Sequence, residues 1–245
     1  MCGFAIELYT YLALVASPTP YNNGTDSEPD TRSSLLLPWS TLKNYGNFGV
    51  IISPFYQYLD VIPQVISLCT RRQAEIMFQE CSSDHWAEFL QLMRAIESVG
   101  SWNQLTEHAT NLDQGEDLSV SAIYRHALAI FAYDAMWCGN IVEDESRLSV
   151  VRGHALGALM LIPTVMDTHL RNVLLWPTIV IGSCLLQETE RDVIRKTASI
   201  IDPLFVVIKM KAILENLWAE NDPLYFGPFG LHKYMLSHQT VIYLG

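Results

Sequence analysis

The sequence predicts an all-α fold, in which roughly eight to ten helices pack as one domain in a bundle or array. Apolar residues recur at spacings of three and four from one end of the chain to the other, while the strict alternation typical of half-buried strands is almost absent. Half of the 245 residues are hydrophobic, and a chain of that size can bury a sizeable core. Spacing and composition together therefore favour a helical domain over a sheet.

The first helix is predicted at about residues 4–15. Residues 17–34 follow it, and their abundance of Ser, Thr, Asn, Asp, Gly and Pro predicts a mobile loop with little to bury. Pro54 is predicted to open the second helix, because proline fits the first helical turn, and Pro63 is expected to kink that helix. The residues expected on its apolar face are Phe55, Tyr58, Leu59, Ile62, Val65, Ile66 and Cys69.

The third and fourth helices are predicted from a cap and from their apolar residues. Asp84 is expected to cap a helix that ends before Gly100. The buried stripe expected on this helix consists of Trp86, Phe89, Leu90, Met93 and Ile96. The segment from about Ser121 to Cys138 is apolar on nearly every side, so the fourth helix is expected at the centre of the domain.

The fifth helix is predicted to start at Asp144 and to end at Pro163. Gly153 and Gly157, four residues apart, are expected to let a neighbouring helix approach closely. The residues expected to be buried on this helix are Leu148, Val151, Ala155, Leu156, Leu159 and Met160.

The segment LLWPTIVIGSCLLQETERDVIRK, residues 174–196, joins an aliphatic stretch to a highly charged one. We expect a buried helix over residues 171–186 that is bent at Pro177, at a cost of about 3 kcal/mol, because proline removes a backbone donor. Thr189 is predicted to cap a solvent-facing helix with acids in its first turn and bases later. A further helix is predicted from Pro203, and an aromatic loop and a last helix over residues 231–243 follow it. The residues of the Pro203 helix that we expect to be buried are Phe205, Ile208, Ala212, Leu217 and Trp218.

Charge and cysteine content argue against several classes of function. Fifteen Lys and Arg oppose 26 Asp and Glu, a net charge of −11, and no window is basic enough to neutralise a run of phosphates, so no direct contact with nucleic acid is expected. The five cysteines form no C-x-x-C pair, so neither disulfides nor a zinc site nor any other cofactor is expected. The longest uncharged apolar run, residues 173–186, is shorter than the roughly 20 residues that span a membrane, and no membrane association is expected. Because no basic region precedes the first apolar stretch, secretion is not expected.

No motif of established catalytic chemistry is present in the sequence. It contains no Gly-x-Gly-x-x-Gly, no phosphate-binding loop with lysine and no His-Glu-x-x-His. Cys81 and His85 are spaced to share a metal on one helix face, but no second pair completes four ligands. His154, Asp167 and His169 are the candidates for proton transfer if the protein is an enzyme. Single histidines of this kind are more often structural.

The aromatic residues of the C-terminal third are the candidates for ligand binding. Rings that carry a polar group suit the walls of a pocket for an apolar ligand. The group consists of Trp176, Trp218, Tyr225, Phe226 and Phe229. Packing in the helical core is the alternative, and it is the commoner role of such rings.

The chain resembles a known family in several segments that keep their order and spacing. LLWPTIVIGSCLLQETERDVIRK is similar to the Trp-Pro-apolar-Gly signature near the end of the fungal-specific transcription factor domain, and ILENLWAENDP resembles the Trp-bearing helix that follows it. IELYTYLALVASPTP, NYGNFGVIISPFYQYLDVIPQVISLCTRRQAE and YRHALAIFAYDAMW are also similar, so the resemblance covers nearly the whole chain. It implies an all-helical regulatory region of a fungal zinc binuclear cluster activator, the part that senses a signal or contacts other proteins.

The same resemblance also marks a departure from the family. Its members usually open with six cysteines in C-x-x-C-like pairs and a basic linker, and this chain has neither. The family's DNA-binding residues therefore have no counterpart here, and no family motif marks ligand residues to transfer.

Three hypotheses follow from these observations. The first is a transcription-regulator-like protein without its own DNA-binding module, which acts in the nucleus or the cytoplasm. Its expected partners are other regulatory proteins, a second copy of the chain or a small apolar effector. The second is a biosynthetic enzyme of a fungal secondary-metabolite pathway, in which the helical scaffold holds a flexible substrate in a reactive pose and His154, Asp167 or His169 assists. The third is a truncated gene product with an incomplete core.

Overall fold

A computed structural model describes residues 2–16, 54–78, 85–102, 113–137, 140–201 and 205–240. Within these ranges the chain is predominantly helical and contains no β-strand, which confirms the predicted all-α class. Short 3-10 helices at Tyr56–Asp60, His169–Leu174 and Pro223–Tyr225 lie between the α-helices. The α-helices of these ranges are α1 (Cys2–Ala16), α2 (Ile62–Phe78), α3 (His85–Trp102), α4 (Asp113–Trp137), α5 (Glu145–Val165), α6 (Leu175–Gly182), α7 (Glu188–Ile200), α8 (Phe205–Glu220) and α9 (Gly227–Ser237).

Helix α4 lies at the centre of the fold, as its apolar sequence predicts. It contacts α2, α3, α5, α6 and α9. Every residue from Ala127 to Ala132 is buried, so this part of α4 has no side that faces solvent. Phe55 stacks on Tyr124 of α4 with ring centroids 4.1 Å apart. Helix α4 is therefore the element around which much of the domain packs.

Two prolines lie at helix starts, where the sequence analysis expected bends. The kink predicted at Pro63 is wrong, because α2 begins at Ile62 and places Pro63 in its first turn. Pro177 likewise lies in the first turn of α6, which begins at Leu175 after a 3-10 helix. Backbone N–H groups of a first turn have no partner within their helix, so neither proline removes a helical hydrogen bond. The cost of about 3 kcal/mol expected at Pro177 therefore does not arise.

Two other prolines also depart from the prediction. Pro54 lies in a turn ahead of the first 3-10 helix, so it does not open α2. Pro163 lies inside α5, which continues to Val165 and does not end at the proline. Proline at this position has no N–H to donate to the carbonyl four residues earlier, and the helix continues for only two residues beyond it.

The helix caps agree with the sequence in one case and differ in another. Oδ1 of Asp144 accepts the backbone N–H of Ser146 at 2.8 Å, which confirms the predicted start of α5. The cap predicted at Thr189 is wrong, because α7 already begins at Glu188. Instead, the Glu190 carboxylate turns back and accepts the N–H groups of Leu186 and Gln187. A glutamate at the third helical position that accepts the backbone N–H of the N-cap residue, here Gln187, is part of a capping box.

Several helix ends lie beyond the positions predicted from the sequence. Helix α3 continues past Gly100 to Trp102, and α4 begins at Asp113, ahead of the predicted Ser121. The last helix, Gly227–Ser237, begins earlier than the predicted residues 231–243 and absorbs half of the expected aromatic loop. Helix boundaries depend on local caps that the apolar period does not report.

Some residues predicted to be buried are exposed in the structure. An apolar stripe defined by spacing is wider than the strip that neighbouring helices cover, so its margins remain in solvent. Met160 of α5 is the clearest case, with 80% of its surface exposed. The other residues for which predicted burial is wrong are Trp86, Leu90, Leu156, Ile208 and Ala212.

Helix α5 approaches α4 closely at one of the two predicted glycines. A Cβ at Gly157 would lie 3.0 Å from Cε1 of His126 on α4. A Cβ at Gly153 would meet nothing within 4 Å, so the close approach predicted there is wrong.

By length and composition alone α5 is also apolar enough to cross a membrane, with 33% of its most apolar window buried. Core helices of water-soluble domains can have the same length and composition, so these two properties are weak evidence for a membrane-spanning helix.

Five predictions fall outside the residues that the structure describes. They are the loop over residues 17–34, the cap Asp84, the metal-ligand candidate Cys81, the helix start at Pro203 and the burial of the Phe205 side chain.

Candidate functional site

The short helix α6 is buried along its whole length, and it carries the Trp-Pro pair into the core. All residues from Leu175 to Gly182 are buried. The Trp176 ring stacks between Tyr124 and Phe131 of α4, with centroid distances of 5.7 and 5.5 Å. Trp176 is therefore a core residue that fixes α6 against α4.

The glycine at the end of α6 lets α8 approach closely. A Cβ at Gly182 would lie 2.7 Å from Cδ1 of Leu214 on α8. One turn further along α8, Nε1 of Trp218 donates a hydrogen bond to the Gly182 carbonyl at 2.9 Å. The Trp-Pro-apolar-Gly segment and the Trp-bearing helix therefore meet at this contact, although 36 residues separate the bonded pair.

A cavity of about 180 Å³ opens beside this contact. The ends of α6 and α8, the start of α7 and the 3-10 helix Pro223–Tyr225 surround it. Its lining residues are Val142, Ser183, Leu185, Leu186, Arg191, Leu217, Trp218, Asn221, Asp222, Pro223, Tyr225 and Phe226. Most of this wall is apolar, and its polar groups are few, which is typical of a site for a small organic molecule.

Two arginines of α7 contact the Trp218 ring at the edge of the cavity. The guanidinium groups of Arg191 and Arg195 lie 5.5 and 5.3 Å from the Trp218 ring centroid, within the range of a cation–π contact. Arg191 also donates Nε and Nη2 hydrogen bonds to the Leu185 carbonyl, at 3.4 Å each. The indole ring is thus fixed by its own hydrogen bond and by positive charge beside its ring.

Arg195 belongs to an ion-pair network at the outer edge of this region. It pairs with Glu188 and Asp192 of α7 and with Glu215 of α8. The hydrogen bond from Arg195 lowers the pKa of Glu215, and the three carboxylates raise the pKa of Arg195. The network joins α7 to α8, but it is partly exposed, so each pair stabilises the fold only weakly.

The floor of the cavity connects to a buried carboxylate of α4. Gly227 donates its N–H to the Ser183 carbonyl at 2.9 Å and has φ +77°, a conformation that favours glycine. The Phe229 N–H, in the first turn of α9, donates to Oδ2 of the fully buried Asp134. Negative charge is favourable at a helix start, so Asp134 anchors α9 beneath the cavity.

Neither Ser183 nor Cys184 has the environment of a nucleophile. The Ser183 hydroxyl donates to the Val180 carbonyl at 2.7 Å, as expected of a small packing residue in a helix. Burial raises the pKa of the Cys184 thiol, which keeps it protonated and unreactive. The cavity therefore resembles a binding site more than a covalent catalytic site.

The structure places the five aromatic candidates in different environments. Trp218, Tyr225 and Phe226 line the cavity. Trp176 lies in the core against α4, and Phe229 is buried with the Lys233 ammonium 4.5 Å from its ring centroid. The polar wall formed by Ser183, Arg191 and Asn221 was missed, because these residues come from separate segments and share no spacing signal.

The catalytic candidates lie far apart along α5 and beyond it. His154 lies in the middle of α5, and Nδ1 of its ring is 3.1 Å from Nδ1 of His126. Asp167 and His169 are exposed after the end of the helix, and the thirteen residues from His154 to Asp167 correspond to about 20 Å along a helix axis. Nε2 of His85, the other histidine singled out, forms a hydrogen bond with Oε1 of Glu75 at 2.5 Å. Among the described residues, no three His, Cys, Asp or Glu side chains cluster as metal ligands.

Comparison with known families matches the chain over nearly its whole length. A family model described as the fungal-specific transcription factor domain matches residues 6–235, which include every element around the cavity. No curated protein and no solved structure matches the chain.

Proposed function

The chain belongs to the family of fungal-specific transcription factor domains, and we propose that it binds a small apolar effector in the cavity beside Trp218 as part of transcription regulation in the nucleus. The observation that carries this proposal is the convergence of the two Trp-bearing segments on one cavity. Trp218 donates to Gly182 at 2.9 Å, and the cavity opens at that contact.

The size and chemistry of the cavity define the class of effector. Its volume of about 180 Å³ lies below the roughly 300–1,000 Å³ of pockets for drug-sized ligands. A single aromatic ring or a small bicyclic molecule fits this space. The Trp218 and Tyr225 rings offer flat apolar contact, and the Asn221 amide and the Tyr225 hydroxyl are groups of the wall able to form a hydrogen bond.

A ligand in the cavity can change the relative positions of the helices that surround it. The wall combines α7, α8, the 3-10 helix Pro223–Tyr225 and the segment that joins α6 to α7, so a ligand that contacts all of them favours one relative position of these elements. The net charge of −11 opposes contact with phosphate backbones. The outputs we propose are therefore contacts with other regulatory proteins or with a second copy of the chain.

A reporter assay tests both parts of the proposal. The full chain is fused to an unrelated DNA-binding domain in a fungal host, and reporter expression is compared with that of the DNA-binding domain alone. We expect the fusion to change expression. We also expect Val142→Phe to suppress that change, because the larger side chain fills the cavity. Val150→Phe is the matched control, because Val150 lies 38% exposed on α5, outside the cavity wall.

The possible outcomes separate the two parts. If the wild-type fusion leaves the reporter unchanged, the regulatory role is wrong. If it changes the reporter and both valine variants behave like wild type, the effector cavity is wrong and the regulatory role stands.

A further inference from the structure

Away from the cavity, the structure brings two histidines into contact where α4 meets α5. Nδ1 of His126 and Nδ1 of His154 are 3.1 Å apart, and both residues are half-buried. The His126 ring packs on the backbone of α5 at Gly157, where a Cβ would approach Cε1 to 3.0 Å. The ring of Tyr133 lies beside His154, with centroids 5.7 Å apart. The pair is therefore held by two packed helices and not by loops.

We propose that His126 and His154 chelate one divalent transition-metal ion, such as Zn²⁺, through their Nδ1 atoms. Two nitrogens at a Zn–N distance of about 2.0–2.1 Å and at a tetrahedral angle lie about 3.3 Å apart. The observed separation of 3.1 Å is close to that value, so the two nitrogens already have nearly the spacing that one ion requires. Imidazole nitrogen is a preferred ligand of zinc, copper and nickel, and water fills the remaining coordination positions.

Metal binding replaces the hydrogen bond that joins the two rings. A neutral pair shares one Nδ1 proton, so the ring that carries this proton changes tautomer and holds it on Nε2 when the ion binds. Both Nδ1 lone pairs then face the ion. Because neutral imidazoles bind the metal, no net proton is released at neutral pH.

Burial of the pair favours the neutral form of both rings. Burial, His154 and Arg125 lower the pKa of His126 to about 4. Burial and Arg125 also lower the pKa of His154, whereas the Glu97 carboxylate raises it. The charge of Arg125 weakens attraction for a cation, and that of Glu97 strengthens it. With two protein ligands, the site is expected to bind less tightly than structural zinc sites with four.

The test is titration of the purified full chain with Zn²⁺ in competition with a chromophoric chelator. We expect one ion per chain at about pH 7.5 and binding weaker by on the order of tenfold or more in His126→Gln and in His154→Gln. His169→Gln is the matched control at an exposed histidine and keeps the wild-type affinity. Circular dichroism establishes that each variant is folded. If His126→Gln unfolds because it disturbs the contact with Gly157, His154→Gln decides.

The matched variants distinguish this pair from accidental binding at surface histidines. Accidental binding is affected equally by His154→Gln and by the exposed control His169→Gln. The proposal is overturned by a wild-type chain that binds no stoichiometric Zn²⁺ or by unchanged affinity in His154→Gln.

Discussion

Replacement of Trp218 by phenylalanine tests the contact that brings the two Trp-bearing segments together. The substitution removes the Nε1–H donor to the Gly182 carbonyl and leaves a smaller ring in a site that is 5% exposed. The Gly182 carbonyl also accepts the Leu185 N–H at 3.3 Å, so it is not left without a partner. The loss is therefore that of one hydrogen bond, about 0.5–1.5 kcal/mol.

The smaller ring adds a second contribution to this loss. Truncation of a buried aromatic residue to alanine costs about 3–5 kcal/mol, and the change from tryptophan to phenylalanine removes only part of that packing. Together with the lost hydrogen bond, we expect the free energy of unfolding to fall by about 2–3 kcal/mol. For a chain of 245 residues this corresponds to a decrease in Tm of roughly 5–10 °C.

Thermal and urea unfolding followed by circular dichroism measures this change. Trp86→Phe is the control, because Trp86 lies 52% exposed on α3 and the same chemical change there is expected to cost about 0.5 kcal/mol or less. Equal destabilisation by the two substitutions would refute the reasoning, since it would show that the Trp218–Gly182 contact contributes nothing specific.

Three further predictions concern charged groups. Asp134→Ala is expected to lower the free energy of unfolding in urea by about 2–4 kcal/mol, because it leaves the Phe229 N–H in a buried site without this carboxylate, and Asp134→Asn is expected to cost less. The free energy of unfolding is expected to fall as the pH drops from about 6.5 towards 4, because His126 and His154 take up protons in the unfolded chain more readily than in the native pair. In thermal melts at several pH values, His126→Gln is expected to reduce this dependence of stability on pH. Arg195→Ala is expected to cost about 1 kcal/mol or less, a difference that shrinks in high salt, because its ion pairs with Glu188, Asp192 and Glu215 are partly exposed. A loss of several kcal/mol for Arg195→Ala, an unchanged Asp134→Ala protein or a flat pH profile would contradict the respective prediction.

The sequence was most informative where one physical signal decides the structure. The central place of α4 was predictable because the segment around Ala127 and Phe131 is apolar on every side, and such a helix has no other stable environment. The start of α5 was predictable because Asp144 is a strong capping residue placed directly before an apolar period. In both cases one local sequence feature was compatible with only one structure.

The prediction failed where tertiary contacts select between local alternatives. The residues around Pro177 are compatible with two structures: a long helix bent at Pro177, or a helix that starts two residues before it, at Leu175. The 3-10 helix that precedes Leu175 decides for the second structure, and it has no sequence signal of its own. Met160 was assigned to a buried stripe because its spacing is helical, yet among the described residues no neighbouring element buries it on that side of α5. The helical spacing of apolar residues identifies an apolar face, but it does not show how much of that face neighbouring elements bury.

The candidate site was only partly accessible from the sequence for the same reason. Trp218, Tyr225 and Phe226 lie within one short segment, so their aromatic character alone marked them. Arg191 reaches the same wall from α7, and His126 meets His154 across two helices that are 28 residues apart at this contact. Only the packing of the helices places these groups together.

Binding of a small aromatic molecule in the cavity beside Trp218 can be observed by ¹⁹F NMR of the chain labelled with 5-fluorotryptophan. Indole serves as the probe, and Trp218→Phe assigns the Trp218 signal among those of the six tryptophans. We predict a saturable shift of the Trp218 signal that Val142→Phe abolishes, with little change at the exposed Trp86. A Trp218 signal that does not move, or moves only in parallel with Trp86, would contradict the account.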